Sequence, residues 1–132
     1  MIRVQSQAFD PGFELSQLKA GRPGIGGTVM FLGTVRDLSE GADVKAMTLE
    51  HYPGMTEKAL EDIEQEAHRR WPLDATLIIH RFGRLEPLCT LVGACRVRLH
   101  LARALRTARW FVHLRLVLAR VVTQQRIQAV ET

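Results

Sequence analysis

Residues 48–60, a run reading Thr-Leu-Glu-His-Tyr-Pro-Gly-Met-Thr-Glu-Lys-Ala-Leu, constrain this chain most tightly, because a strand has to end there, turn and give way to a helix. Residues 44–52 alternate, with Lys45, Met47, Leu49 and His51 on one side and Val44, Ala46, Thr48 and Glu50 on the other, as a strand requires. Pro53 lacks a ladder donor and Gly54 tolerates positive φ, so the strand stops. Thr56 is the expected N-cap and Glu57 suits the positive end of a helix. Leu60, Ile63, Ala67 and Trp71 then recur at helical spacing until Arg69, Arg70 and Pro72 close the helix.

Around this unit the chain alternates element types. Residues 2–8 read as a first strand. Asp10-Pro11 is an N-cap and first-turn pair for a short helix expected to bury Phe13, Leu15 and Leu18. The glycine-rich stretch 21–27 lacks the Lys-Ser/Thr ending of a phosphate-cradling loop and leads into a strand, which makes it a connector. Residues 28–35 form the next strand, rich in β-branched and apolar residues, and a polar loop follows over 38–43. This strand pairs antiparallel with 44–52 in the simplest arrangement. Residues 75–82 are another strand, whose run Leu77-Ile78-Ile79 is that of a strand covered on both faces. Residues 91–100 suit a strand, and 101–122 a basic amphipathic helix with Arg103, Arg106, Arg109 and His113 on one face. Its plain role is a packed or solvated helix; its sharper role is contact with a membrane surface or nucleic acid. No βαβ period repeats, so the class is α+β.

A chain of 132 residues with 46% hydrophobic and 24% charged residues is expected to fold as one domain, 1–132. No run of about 18 uncharged apolar residues and no signal-peptide core occurs, which points to the cytoplasm. Cys89 and Cys95 have no second Cys or His pair at ligand spacing and read as free thiols in a reducing compartment. The net charge of +4 is unevenly spread. Residues 1–86 carry ten Lys+Arg against thirteen Asp+Glu, whereas 87–132 carry eight Arg, no Lys and a single acid, Glu131. Such a split marks a nucleic-acid arm or a tail of different origin from the rest of the chain.

Four ordered motifs carry a family resemblance. Leu49-Glu50-His51-Tyr52-Pro53-Gly54-Met55-Thr56 resembles the signature of the large, catalytic subunit of molybdopterin synthase. Phe31-Leu32-Gly33-Thr34-Val35-Arg36-Asp37 resembles that family's earlier motif. Arg70-Trp71-Pro72-Leu73 and Ile79-His80-Arg81-Phe82-Gly83-Arg84-Leu85-Glu86-Pro87 fit the same pattern in the same order, so the likeness covers about residues 1–87. The resemblance implies a mixed, largely antiparallel sheet with packed helices. It also implies a homodimer that binds a ubiquitin-like small subunit at each end, forming a heterotetramer. The implied reaction moves sulfur from the thiocarboxylated tail of the small subunit to cyclic pyranopterin monophosphate, with no metal or redox cofactor.

That chemistry needs cations for phosphate and carboxylate, donors for a developing oxyanion, and acid/base groups. By resemblance Arg36 is the first candidate, a guanidinium at a strand end able to fork onto an anion, with Thr34 and Val35 as the substrate-binding segment and Phe31 as a pocket wall. Read without the motif, Arg36 is a strand-end surface ion pair and Phe31 a core residue. His51 and His80 sit on apolar strands, where a hydrogen-bonded core histidine is the plain reading.

After Pro87 the pattern departs. The family resemblance calls for a His-Arg pair and two late lysines within Tyr-Leu-Lys-Thr-Arg-Ala-Pro-Phe-Trp-Lys, yet the last lysine here is Lys58. An ungapped register puts His100-Leu101 at the His-Arg pair, leaving His100 as the remaining catalytic candidate, and Leu116 and Thr123 at the lysines. Neither Leu nor Thr can act as a cation or amine. Three readings follow: a non-catalytic homologue or scaffold, tail arginines in place of lysines, or a frameshift near Leu88 in GC-rich coding DNA. A nucleic-acid-binding arm is a further alternative, recognisable by steep salt dependence.

Overall fold

The computed structural model describes residues 1–36, 38–39, 42–43, 45–98 and 127–130. In chain order these form β1 (Ile2–Gln5), α1 (Pro11–Lys19), β2 (Gly27–Thr34), β3 (Leu38–Ser39), β4 (Ala42–Asp43), β5 (Ala46–Leu49), α2 (Met55–Arg70), β6 (Ala75–Arg81), β7 (Gly83–Leu85), β8 (Thr90–Arg98) and β9 (Ile127–Val130). A four-stranded sheet runs β1-β6-β8-β2, with β1 parallel to β6 and the other pairs antiparallel. A three-stranded sheet runs β7-β5-β9, and β3 and β4 make a small hairpin inside the expected polar loop. The class is α+β with a mixed, largely antiparallel sheet, as expected.

Strand β6 organises the layers because both of its faces are apolar. Ile78 joins a core of Val35, Leu49, Leu60, Ile63, Ala67, Leu85, Leu91 and Val92 beneath α2. Ala75, Leu77 and Ile79 point the other way and pack with Leu18 of α1, alongside Phe9, Leu15, Ile25 and Met30. The side-chain period of two along a strand sends alternate residues into these two cores. Complete burial of a residue such as Leu60 contributes roughly 1.5–3 kcal/mol.

Both helices start where chemistry dictates, one of them not where expected. Asp10 accepts from the amides of Gly12 (2.7 Å) and Phe13 (3.1 Å), with Pro11 in the first turn. At α2 the cap is Gly54, at φ +83°, rather than Thr56. The Tyr52 carbonyl accepts from both the Met55 and Thr56 amides at 3.2 Å, so the helix is already under way at Thr56, which is buried. Glu57 reaches back to accept from the Gly54 amide at 2.8 Å. The helix closes at Trp71, whose amide donates to the Ala67 carbonyl.

Three further expectations are corrected. Phe13 is 60% exposed, because five residues at 100° each place it about 140° around α1 from the buried Leu18. Strand β5 does not pair with β2: it lies in the smaller sheet between β7 and β9, while β2 pairs with β8. The expected strand 44–52 is shortened to Ala46–Leu49, and both its end residues are buried. The helix expected over 101–122, with Arg103, Arg106, Arg109 and His113, lies outside the described residues, as does His100. No helix among the described residues is long and apolar enough to cross a membrane.

Candidate functional site

Of the residues singled out in the sequence, Phe31, Thr34, Val35 and Arg36 lie where β2 leaves the four-stranded sheet. The β2–β8 ladder runs in step to Gly33↔Val92 and then slips, pairing Thr34 with Thr90, so that Leu91 is an extra residue in β8. A bulge of this kind twists and re-aims the strand that follows. Glycine is needed at position 33, because a Cβ there would stand 2.8 Å from Val92 Cγ1.

Beyond the bulge the backbone is held on both sides of Val35. Its amide donates to the Cys89 carbonyl at 3.0 Å, and its carbonyl accepts from the Leu88 amide at 2.8 Å. Its side chain is 3% exposed and belongs to the main core. Val35 therefore fixes the segment from inside, and its side chain does not face solvent. Thr34 and Arg36, on either side, are exposed, as extended backbone demands. Arg36 makes no ion pair with any described residue, so the strand-end ion pair is not seen among them. Phe31 is partly buried against the main core, consistent with both a core role and a wall role.

The facing loop is under strain. Leu88 has φ +66°, an uncommon conformation for leucine, and is 82% exposed. Cys89 is a free thiol there. Arg81, at the end of β6, is only 8% exposed and gives all of its recorded hydrogen bonds to backbone, with Nε and Nη2 on the Ser6 carbonyl (3.3 and 3.2 Å) and Nη1 on the Thr90 carbonyl (3.1 Å). Sequence reasoning missed this role. The available signal was an arginine closing an otherwise apolar strand.

Neither motif histidine is exposed. His80 is completely buried. His51 stacks on Phe82 with ring centroids 4.6 Å apart, and its Nε2 lies 3.3 Å from Glu57 Oε1, tying β5's exit to the start of α2. Tyr52 donates to Glu50 at 2.6 Å. A cleft of about 480 Å³ lies elsewhere, between β1 and α1, where Arg3, Phe13, Glu14, Arg22 and Leu77 line it. It includes none of Phe31, Thr34, Val35 or Arg36. At the end of β2 the structure thus presents an exposed guanidinium, Arg36, and an exposed hydroxyl, Thr34, on a backbone held by the hydrogen bonds of Val35.

A family model described as MoaE protein matches residues 4–114, well past the Pro87 limit set by the motifs. A molybdopterin synthase catalytic subunit of Pseudomonas aeruginosa is 60% identical over 86 residues, 65% of this chain and 57% of that protein. The subunit of the same name from Cereibacter sphaeroides is 42% identical over 111 residues, covering 84% of this chain and 75% of the relative. Among solved structures, a molybdopterin biosynthesis MoaE protein from Burkholderia ambifaria superimposes with a TM-score of 0.73 at 48% identity, over 83% of this chain and 71% of that one. Over its 86-residue matches the chain spans about half the length of the curated relatives, 57% and 49% for the first two.

Proposed function

The chain belongs to the family of the MoaE protein, and from that premise we propose that it is the catalytic subunit of a molybdopterin synthase, a sulfurtransferase of molybdenum cofactor biosynthesis. Its substrate is cyclic pyranopterin monophosphate. Its sulfur donor is the thiocarboxylated C-terminus of a ubiquitin-like small subunit, two of which flank a homodimer of this chain in a heterotetramer. Arg36 holds an anionic group, the substrate phosphate or the donor's terminal carboxyl. Thr34 supplies a hydroxyl beside it, and Phe31 gives an apolar wall to the pterin. Val35 acts through the backbone it anchors, and His100, by resemblance, is the remaining catalytic candidate.

One observation carries this reading. Arg36 is an exposed cation with no described counter-charge, on a backbone hydrogen-bonded through both the amide and the carbonyl of Val35. A guanidinium so placed keeps its fork free for an incoming anion.

The test is binding and turnover with purified protein, the thiocarboxylated small subunit and cyclic pyranopterin monophosphate. Arg36→Ala is expected to weaken substrate binding about ten- to a hundredfold, the equivalent of roughly 1.5–3 kcal/mol for hydrogen bonds to a charged group. Binding unchanged by this substitution would remove Arg36 from the site. A folded protein that binds substrate and small subunit but forms no molybdopterin would be a scaffold.

A further inference from the structure

We infer that Arg81 is a positioning residue for the Arg36 site, acting as a side-chain replacement for a stretch of sheet that the bulge takes away. The inference rests on the reading of Arg36 given above.

The β6–β8 ladder ends at the pair His80↔Val92. One residue further on, β8 carries the extra Leu91, because Gly33 pairs with Val92 but Thr34 with Thr90. Continued pairing of β6 with β8 is lost at this point, and the first residues of β8 have to be held some other way. Arg81 stands at that step. Its Nη1 donates to the Thr90 carbonyl at 3.1 Å, while Nε and Nη2 both grip the Ser6 carbonyl just past β1. One side chain thereby joins the ends of three strands: β1, its own β6, and β8.

What Thr90 holds, Arg36 depends on. Thr90 follows directly on Cys89 and Leu88, whose carbonyl and amide bracket Val35, and Val35 precedes Arg36. The line of connection is Arg81 to Thr90, along the backbone to Cys89 and Leu88, across to Val35, and on to Arg36. Leu88 at φ +66° shows that this loop is not in a relaxed conformation, so a restraint at Thr90 has something to hold.

Charge alone does not account for the arrangement. Arg81 makes no ion pair with any described acid, and its 8% exposure leaves the guanidinium largely out of solvent. A buried cation without a carboxylate is costly, and backbone carbonyls are what offset that cost here. Lysine keeps the charge but has no planar fork that spans two carbonyls. Fork and charge are therefore separable by substitution.

The experiment uses the full chain, with Arg81→Lys, Arg81→Gln and Arg36→Ala, singly and with each Arg81 change combined with Arg36→Ala. Two readouts are taken: amide hydrogen exchange, and equilibrium binding of cyclic pyranopterin monophosphate. The expected result is that Lys and Gln alike speed exchange of the Val35 and Leu88 amides by about tenfold or more, while the Leu60 and Ile63 amides of α2 keep their protection and report an intact fold. Both variants also weaken binding by about three- to tenfold, and neither weakens it further once Arg36 is alanine. Binding lost with Gln and retained with Lys would make Arg81 a through-space charge and overturn the positioning role. So would unchanged exchange at Val35 and Leu88, or an equal loss of binding with and without Arg36. If Arg36→Ala leaves binding intact while Arg81→Lys still loosens Val35, the assignment of Arg36 fails and the clamp itself stands.

Discussion

At the scale of single residues, partners decide what a charged side chain does. Glu64 on α2 accepts from the Thr76 hydroxyl of β6 and from the Met1 ammonium ahead of β1, and the same ammonium donates to the Thr76 carbonyl at 2.9 Å. Burial pushes the Glu64 carboxyl up, but the bonds from the ammonium and from Thr76, with the charges of Met1 and His68 behind them, outweigh it and hold the group below its ordinary 4.5. A carboxyl depressed in the folded state stabilises the protein above its unfolded pKa, and that contribution fades as pH falls through the lower, folded value. Glu64→Gln is accordingly expected to cost about 1 kcal/mol near neutral pH, a charged hydrogen bond discounted for partial exposure. The gap to wild type should close on acidification below 4.5. Thermal unfolding of the two proteins across pH checks this, and a gap that persists or widens in acid would show that the carboxyl's charge is not what matters.

At the scale of elements, the most consequential feature is the close approach of β2 to β8 at the bulge. A methyl at position 33 would lie 2.8 Å from Val92 Cγ1, and valine, stiff at χ1, has little room to turn away. Gly33→Ala is expected to destabilise by about 1–3 kcal/mol, and Val92→Ala in the same chain to recover part of that loss despite its own cavity cost. Denaturant midpoints of the two single variants and the double variant measure the coupling; simple additivity would mean that the strands separate freely there. Much at this scale was legible beforehand. The two faces of β6 announce themselves in Leu77-Ile78-Ile79, Asp10-Pro11 starts α1, and Pro53-Gly54 ends one element and begins the next. Strand partners were not legible, because period and propensity are local whereas pairing is not. Nothing near β5 says that its neighbours are Gly83–Leu85 and Ile127–Val130. The site divides in the same way: Arg36 is visible in its motif, but Arg81 looks like any strand-end arginine until its three donors are seen on two distant carbonyls.

At the scale of the whole molecule, binding and turnover separate along the chain. The groups proposed to hold the substrate lie on β2 and the two residues that follow it, within a framework closed by β6, α2 and the first residues of β8. The lysines that the family resemblance calls for lie late, where this sequence has none after Lys58. An arginine in their stead supplies charge but no amine nucleophile and, because a guanidinium keeps its proton in proteins, no base at neutral pH. The consequence is a split: substrate affinity within about tenfold of that of the Pseudomonas aeruginosa relative, with turnover lower by about 10²–10⁴, the usual contribution of a positioned acid/base group. Both quantities follow from one set of progress curves and titrations, run with a common thiocarboxylated small subunit. Equal turnover would mean that other groups in this chain do the work of the lysines. A parallel loss of affinity and turnover would instead place the defect in the substrate pocket itself, and would make the framework, not the missing amines, what limits this chain.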